Sequence, residues 1–92
     1  MKYILLVFTN DESSYLGKVV SQEFAANVNV GVEVDIDNDF SGKLICTRKY
    51  INATISGEEV VEMFMSVDNK DHSINKEDED ILKGRGWDYQ PL

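Results

Sequence analysis

The sequence predicts an α+β domain, in which a small, mostly antiparallel sheet carries helices packed on one of its faces. Three observations predict this fold class: a continuous apolar run near the start, a strictly alternating stretch in the middle, and helix-start signals in the second half. The predicted order is strand, helix, strand, strand, helix, helix. The 92 residues contain no linker, repeat or low-complexity segment, so residues 1–92 are expected to form a single domain.

The first predicted strand is the run "YILLVF" at residues 3–8, which is rich in β-formers and bounded by polar residues. The stretch "SSYLGKVVSQEFAAN" (residues 13–27) then predicts a helix. Its apolar face would consist of Tyr15, Leu16, Val19, Val20 and Phe24. Asn10, Asp11 or Ser13 would cap the start of this helix, and Asn27 would end it.

Residues 28–37 alternate strictly between apolar and polar, which is typical of a half-buried strand. One face would carry Val28, Val30, Val32, Val34 and Ile36, and the other Asn29, Gly31, Glu33, Asp35 and Asp37. The segment "NDFSG" (38–42) is typical of a turn. The segment "KLICTRKYINATI" (43–55) predicts a second long strand, which would pair antiparallel with the first as a hairpin and place its bases opposite the acids.

The last third of the chain predicts two helices. The segment "SGEEVVEMFMSV" opens with Ser56 and has Glu59 three residues later, which is the pattern of a capping box. The segment "INKEDEDILKGRGW" has acids in its first turn and Lys83 in its last, as the helix dipole favours. Gly84 and Gly86 would end this second helix.

The amino-acid composition of the chain excludes several classes of function. The 17 acidic residues outnumber the 9 basic ones, and the formal net charge is -8. Such a chain repels nucleic acid and anionic membranes, and it attracts basic partners. Cys46 is the only cysteine, which excludes an internal disulfide and favours a cytoplasmic location. No segment approaches the roughly 20 apolar residues of a membrane span.

The stretch "VEVDIDNDFSGK" raises the possibility of a calcium loop, because Asp35, Asp37 and Asp39 occupy alternate positions. Counted from Asp35, however, position six is Phe40 where the loop needs glycine, and position twelve is Cys46 where it needs glutamate. Both flanks also predict strands where that motif has helices. A hairpin turn with solvated acids is therefore favoured, no metal or cofactor is expected, and a non-standard calcium turn is the alternative.

The chain offers no convincing catalytic set. His72, the only histidine, stands between Asp71 and Ser73 in a polar loop. A catalytic triad brings its groups together from separate elements, whereas these three are neighbours in sequence. Cys46 lies within a predicted strand, where a buried structural thiol is expected. No phosphate-binding glycine loop is present, so the sequence predicts a protein that is not an enzyme.

The acids themselves are the candidate partner-binding residues. They form three clusters: Glu33, Asp35, Asp37 and Asp39; Glu58, Glu59 and Glu62; and Asp68, Asp71, Glu77, Asp78, Glu79 and Asp80. Same-face positions on a strand repeat at roughly 6.6 Å, so the first cluster would form an ordered row of carboxylates. Such a row imitates at coarse resolution the phosphates of DNA, which are spaced about 3.4 Å apart along each strand.

Three acidic stretches, together with the length and net charge of the chain, are similar in kind to those of a known group of proteins. These stretches are "VEVDIDND", "GEEVVE" and "NKEDEDI". Over its whole length the chain resembles the phage-encoded DNA-mimic anti-restriction proteins, among them the Arn family of T-even phages. The resemblance implies evasion of host defence by inhibition of a modified-cytosine restriction endonuclease. It also implies interference with nucleoid-associated proteins in the host cytoplasm, and a dimer that lengthens the acidic surface.

Two functional hypotheses follow. In the first, the chain is an acidic DNA-mimic inhibitor that occupies the DNA-binding surface of a basic host protein and does not bind nucleic acid itself. In the second, it is a small intracellular protein-interaction module that binds through an apolar or aromatic surface patch. The tail "GWDYQPL" motivates the second, because Trp and Tyr are enriched in interface hot spots, although Trp87 would equally suit the core.

Overall fold

The structure is a computed structural model and describes residues 1–9, 11, 13–34, 44–53, 58–67, 74 and 76–90. Its elements in chain order are β1 (Lys2–Phe8), β2 (Tyr15–Val20), α1 (Gln22–Ala26), β3 (Glu33–Val34), β4 (Leu44–Ala53), β5 (Glu59–Val67), α2 (Lys76–Gly84) and β6 (Asp88–Gln90). The strands form one curled sheet in the order β3-β4-β5-β1-β2-β6. β1 runs parallel to β5, and the other neighbouring strands pair antiparallel.

The predicted fold class is wrong. The described part of the chain is mostly sheet, with six strands and two helices. The observed order is strand, strand, helix, strand, strand, strand, helix, strand, whereas the sequence predicts strand, helix, strand, strand, helix, helix. The difference arises because two of the three predicted helices are wholly or partly strands.

The first error concerns residues 13–27, which divide into β2 and the five-residue helix α1. Gly17 and the β-branched pair Val19 and Val20 disfavour a helix and suit a strand. The helix begins only after Ser21, whose Oγ accepts a hydrogen bond from the Phe24 backbone N–H at 3.1 Å. The N-cap therefore lies eight residues or more beyond the caps that the sequence suggested.

The second error concerns "SGEEVVEMFMSV", which contains β5 in place of a helix. This strand lies between β4 and β1 and is hydrogen-bonded to both of them. Pairing on two sides outweighs a local helix-start signal, because strand formation depends mainly on tertiary neighbours. Val60, Val61, Phe64 and Met65 would share one helical face, but β5 divides them between the two faces of the sheet.

Three other predicted elements agree with the structure: β1 and β4 coincide with predicted strands, and α2 lies within the third predicted helix. The strand predicted at 28–37 is wrong over residues 28–32, where Gly31 has a positive φ of 91° and the chain turns, so that Val30 and Val32 are exposed. Of its described residues only Glu33–Val34 form a strand, β3, which pairs antiparallel with β4. The predicted turn and the candidate calcium loop fall on residues 35–43, which lie outside the described residues.

The end of α2 has the geometry of a Schellman motif. Gly86 adopts a positive φ of 91°, and its N–H donates to the carbonyl of Lys83 at 3.3 Å. The Trp87 N–H donates to the carbonyl of Leu82 at 3.1 Å. This pair of bonds satisfies two carbonyls at the helix end and turns the chain toward β6. A glycine is required at this position because L side chains rarely adopt that φ.

One face of the sheet, termed here the helix-covered face, carries the main core. The buried residues of this core are Leu5, Val7, Leu16, Ala25, Val28, Val34, Leu44, Cys46, Met63, Met65, Ile74, Leu82 and Trp87. Two lysines of the sheet hydrogen-bond the helical segments: Lys49 Nζ donates to the Ala25 carbonyl at 2.7 Å, and Lys18 Nζ donates to the Arg85 carbonyl at 3.3 Å.

Of the helices described, neither is long and apolar enough to cross a bilayer.

The connection between β1 and β2 is held by Asp11. Its Oδ1 accepts hydrogen bonds from the Ser13 N–H at 3.0 Å, the Ser13 hydroxyl at 2.6 Å and the Thr9 hydroxyl at 2.8 Å. These bonds to the charged form, chiefly those from Ser13, lower the pKa of Asp11 from 3.8 to about 2. Asp11, which the sequence suggested as a helix cap, therefore organises a turn between two strands.

We expect the Asp11→Asn variant to be less stable than the original chain at neutral pH. The depressed pKa contributes stability that is present above the unfolded pKa and is lost as the pH falls from about 4 through about 2. The stability difference between the two chains should therefore shrink over this window. Urea unfolding at pH 7 and near pH 2 measures it, with Glu23→Gln as a control that also removes one carboxylate. A difference that stays constant with pH would contradict the assignment.

Candidate functional site

The other side of the sheet, termed here the open face, has no described helix packed on it. Strand register places Ile4, Leu6 and Phe8 of β1 on this side, because their neighbours in β1 belong to the core of the helix-covered face. Ile4 and Leu6 are buried even here. The open face is thus a second apolar layer rather than a wholly solvated surface.

Four aromatic rings form a continuous row on the open face, each supplied by a different strand. Phe8 and Tyr15 have ring centroids 4.4 Å apart, and Tyr15 meets Phe64 edge-on at 5.1 Å. Tyr50 stacks on Phe64 at 5.6 Å. We call Phe8, Tyr15, Phe64 and Tyr50 the aromatic row. Tyr50, at its end, is 39% exposed.

A groove of about 420 Å³ runs along the aromatic row. It is lined by Phe8, Tyr15, Thr47, Arg48, Tyr50, Phe64, Met65 and Ser66. The rings provide its apolar surface, and a guanidinium and hydroxyls provide polar groups. Apolar concave sites with a few polar groups are the usual form of binding sites in proteins.

A β-bulge at Thr47 determines which residues of β4 reach this groove. Cys46 pairs with Met65 and Arg48 with Phe64, so Thr47 is an extra residue in the strand. Its hydroxyl donates to the Phe64 carbonyl at 3.3 Å. With the bulge, Cys46 stays on the helix-covered face while Arg48 and Tyr50 lie on the open face. A regular strand would place Arg48 on the core side.

Two opposite charges flank the stacked pair of Tyr50 and Phe64. Arg48 pairs across the strands with Phe64, and Glu62 pairs with Tyr50. Glu62 accepts a hydrogen bond from the Asn52 amide at 2.8 Å. Burial, followed by Tyr50 and Glu62 nearby, raises the pKa of Tyr15, while Arg48 opposes the shift. The hydroxyl of Tyr15 therefore stays protonated and available as a hydrogen-bond donor.

The described part of the open face is almost neutral. Its charged residues in the described strands are Lys2 and Arg48, against Glu33, Glu62 and Asp88. Two bases and three acids give -1, whereas the whole chain carries -8. The described strands of the open face therefore contribute little of the net negative charge.

The described acids from the three predicted clusters differ in exposure. Asp78 and Glu79 are 3% and 5% exposed and lie within α2. Glu79 accepts from Lys76 at 3.2 Å and from Lys83 at 3.3 Å, so its charge is compensated inside the protein. Asp80 forms a salt bridge with Lys76 at 3.2 Å. The accessible acids are Glu33, Glu58, Glu59, Glu77 and Asp80, with Glu62 half-buried.

The accessible acids do not share one face. Glu33 and Glu62 lie on the open face, whereas Glu59 has the opposite orientation in β5. Glu77 and Asp80 belong to α2, on the helix-covered side. The remaining acids of the predicted surface are Asp35, Asp37, Asp39, Asp68 and Asp71, which lie outside the described residues.

The other candidate residues take no part in a described site. Trp87 is 3% exposed and belongs to the core, while Tyr89 is 57% exposed and hydrogen-bonds Lys83 on the helix-covered side. Cys46 is buried, and burial raises the pKa of its thiol, which makes it unreactive.

No group of three metal-binding side chains occurs among the described residues. His72, Asp71 and Ser73 lie outside them.

Sequence reasoning missed the aromatic row. The sequence predicts helices at Tyr15 and Phe64, so it gives no indication that the two rings share one face of a sheet. The signal in the sequence that indicates a strand here is the alternation of "EVVEMFMSV", in which Val61, Met63 and Met65 occupy every second position. The parallel pairing of β5 with β1, which brings the rings together, has no local signature.

Comparisons with known proteins identify no relative: no protein-family model, no curated protein and no solved structure matches the chain.

Proposed function

We propose that this protein is an interaction module that binds a partner protein through the aromatic row on its open face. One observation carries the proposal: four rings from four strands are in contact along a groove, on a side where no described helix packs. Rigid sheet positions hold the rings in place, so binding costs little side-chain entropy. Aromatic residues with neighbouring arginine are the typical composition of interface hot spots.

The composition of the groove favours a protein over a nucleic acid as the partner. Among the described residues that line the groove, Arg48 is the one base, and the chain carries a net charge of -8, which repels polyanions. Stacked rings with a solvent-accessible edge suit apolar and aromatic side chains instead. A surface of this kind binds without chemistry of its own.

The test is affinity capture from a cell lysate with the original chain and with Tyr50→Ala. We expect the partner to remain bound at high salt, because burial of apolar surface is insensitive to screening, and to be lost from Tyr50→Ala. Removing a hot-spot ring costs at least about 2 kcal/mol, which is about a 30-fold loss of affinity. The matched control is Tyr89→Ala, which removes an exposed tyrosine from the opposite side of the sheet.

Capture of the same proteins by the original chain and by Tyr50→Ala would reject the proposal, provided that both chains are folded by circular dichroism. Loss of the partner from Tyr89→Ala as well would indicate a general effect of tyrosine removal and would also count against it.

A second candidate function is the acidic DNA mimic, and the net charge of -8 is the observation that favours it. Its partner would be a basic DNA-binding protein, and its surface would draw on the accessible acids together with Asp35, Asp37 and Asp39. The same capture experiment separates the two functions. A DNA mimic should lose its partner as salt rises and should keep it in Tyr50→Ala, because counterion release and not ring burial drives the contact.

A further inference from the structure

We propose that the partner seated on the open face is a second copy of this chain, in a two-fold symmetric dimer in which Arg48 of each copy meets Glu62 of the other. This inference rests on the proposed function, since it names the partner of the same aromatic row. In such a contact the same patch serves both copies and must be complementary to itself.

The pattern of charge on the open face meets that requirement. Arg48 lies opposite Phe64 and Glu62 opposite Tyr50 in the pairing of β4 with β5, so the two charges are two residues apart along the strands. This corresponds to roughly 6.6 Å, with the stacked rings between them. A two-fold rotation centred on the rings exchanges the two ends and places each positive group against a negative one.

The two charged groups differ in their internal partners. Arg48 forms no salt bridge with another described residue, and its side chain is exposed beside the groove. Glu62 accepts a hydrogen bond from the Asn52 amide, which is a neutral donor, and it forms no salt bridge within the described part of the chain. A pair across the interface would give each group an opposite charge without disturbing the hydrogen bond from Asn52.

Net charge explains why a second copy fits this surface better than a strongly basic protein. The described open face carries -1, so two such faces repel each other little, and neither attracts a polycation strongly. Among the other described acids, Glu77 and Asp80 lie on α2 on the helix-covered side, and they stay exposed to solvent in such a dimer. The rings of the two rows would then pack against each other in offset or edge-on contacts.

The extent of the sheet sets the expected strength of the dimer. Six strands at about 4.8 Å and about 20 Å of strand length give a face of roughly 580 Å². A total of about 1,150 Å² from the two copies falls in the class of small, reversible interfaces. We therefore expect dissociation in the micromolar range and a monomer–dimer equilibrium at ordinary laboratory concentrations.

The experiment is sedimentation equilibrium of the original chain and of four variants, from low micromolar to near-millimolar concentration. We expect Arg48→Glu and Glu62→Arg each to weaken the dimer by about tenfold or more, because each places like charges in contact. The double variant R48E/E62R has the original net charge and should restore dimerisation to within about threefold. Glu23→Arg, on α1, is the charge control and should dimerise like the original chain.

A chain that stays monomeric over the whole range overturns the inference, and so does a dimer that is insensitive to Arg48→Glu and Glu62→Arg. If a charge variant fails to fold, the concentration dependence of the Tyr50 and Phe64 ring resonances in the original chain replaces it, and unchanged resonances count against the dimer. A monomer that still captures a Tyr50-dependent partner overturns the dimer but leaves the proposed function standing. If the dimer forms but capture from lysate does not depend on Tyr50, the proposed function is rejected as stated, while the dimer stands.

Discussion

Replacing Trp87 with alanine is expected to remove about 3–5 kcal/mol from the free energy of unfolding. Its side chain is 3% exposed and packs in the core of the helix-covered face, and its backbone N–H completes the end of α2. A domain of this size has a total stability of about 5–14 kcal/mol, so the loss is a large part of the whole. The melting temperature should fall by about 12–40 °C, as measured by thermal and urea unfolding.

The control for this experiment is Tyr89→Ala, two residues further along the chain. Tyr89 is 57% exposed, so its replacement should change the stability far less than that of Trp87. The comparison also decides the role of the tail "GWDYQPL". If Trp87→Ala kept its stability but lost a binding partner, the tail and not the aromatic row would be the interface.

The second large effect is expected at Leu16 in β2. Leu16 is fully buried on the helix-covered face, whereas Val19 is 57% exposed on the open face. Leu16→Ala should cost about 2–5 kcal/mol, and Val19→Ala less than about 1 kcal/mol. Urea unfolding of the two variants at one pH provides the comparison.

This pair of variants also distinguishes a strand from a helix over the same residues. A helix would place positions 16 and 19 on one face, so both replacements would be costly. A strand separates them, because residues an odd number apart point to opposite faces. Comparable losses in the two variants would therefore contradict the position of β2 in the sheet.

Several elements could be predicted because their signals are local. "YILLVF" predicts a strand in any context, and it forms β1 at the centre of the sheet. The glycines after "KEDEDILK" predict the end of α2, and Gly86 takes the positive φ that this ending requires. The alternation before residue 35 predicts a hairpin with the next strand; the antiparallel pairing is present between β3 and β4, but residues 28–32 turn and are not part of the strand.

Two of the predicted helices failed because their signals were equally local. Ser56 and Glu59 match a capping box, and Leu16 and Val20 match a helical period. In the folded chain, however, each of the two segments pairs with neighbouring strands and becomes part of the sheet. β5 is hydrogen-bonded on both sides, and β2 joins β1 to β6. The free energy of those pairings comes from residues far away in the sequence, so no local window contains it.

The residues of the candidate site could be predicted even less well than the helices and strands, because their positions depend on tertiary contacts. The sequence predicts Glu79 as a surface acid, but Glu79 is buried and forms salt bridges with two lysines. The packing of α2 on the sheet decides which of its side chains are buried. The bulge at Thr47 directs Arg48 and Tyr50 to the open face, and nothing in "LICTRKYIN" marks it. Only the assembled sheet brings Tyr15, Phe64 and Tyr50 into contact.

By itself, the sequence determined the acidic charge, the lack of an internal disulfide, the strand β1 and the C-terminal end of α2, since these depend on composition or on a few adjacent residues. Tertiary structure alone decided that residues 15–20 and 59–67 are strands, that Trp87 is core, and that four rings meet on one open face. Strand pairing and burial are free energies shared between distant residues, and a linear pattern of side chains does not specify which of them will meet.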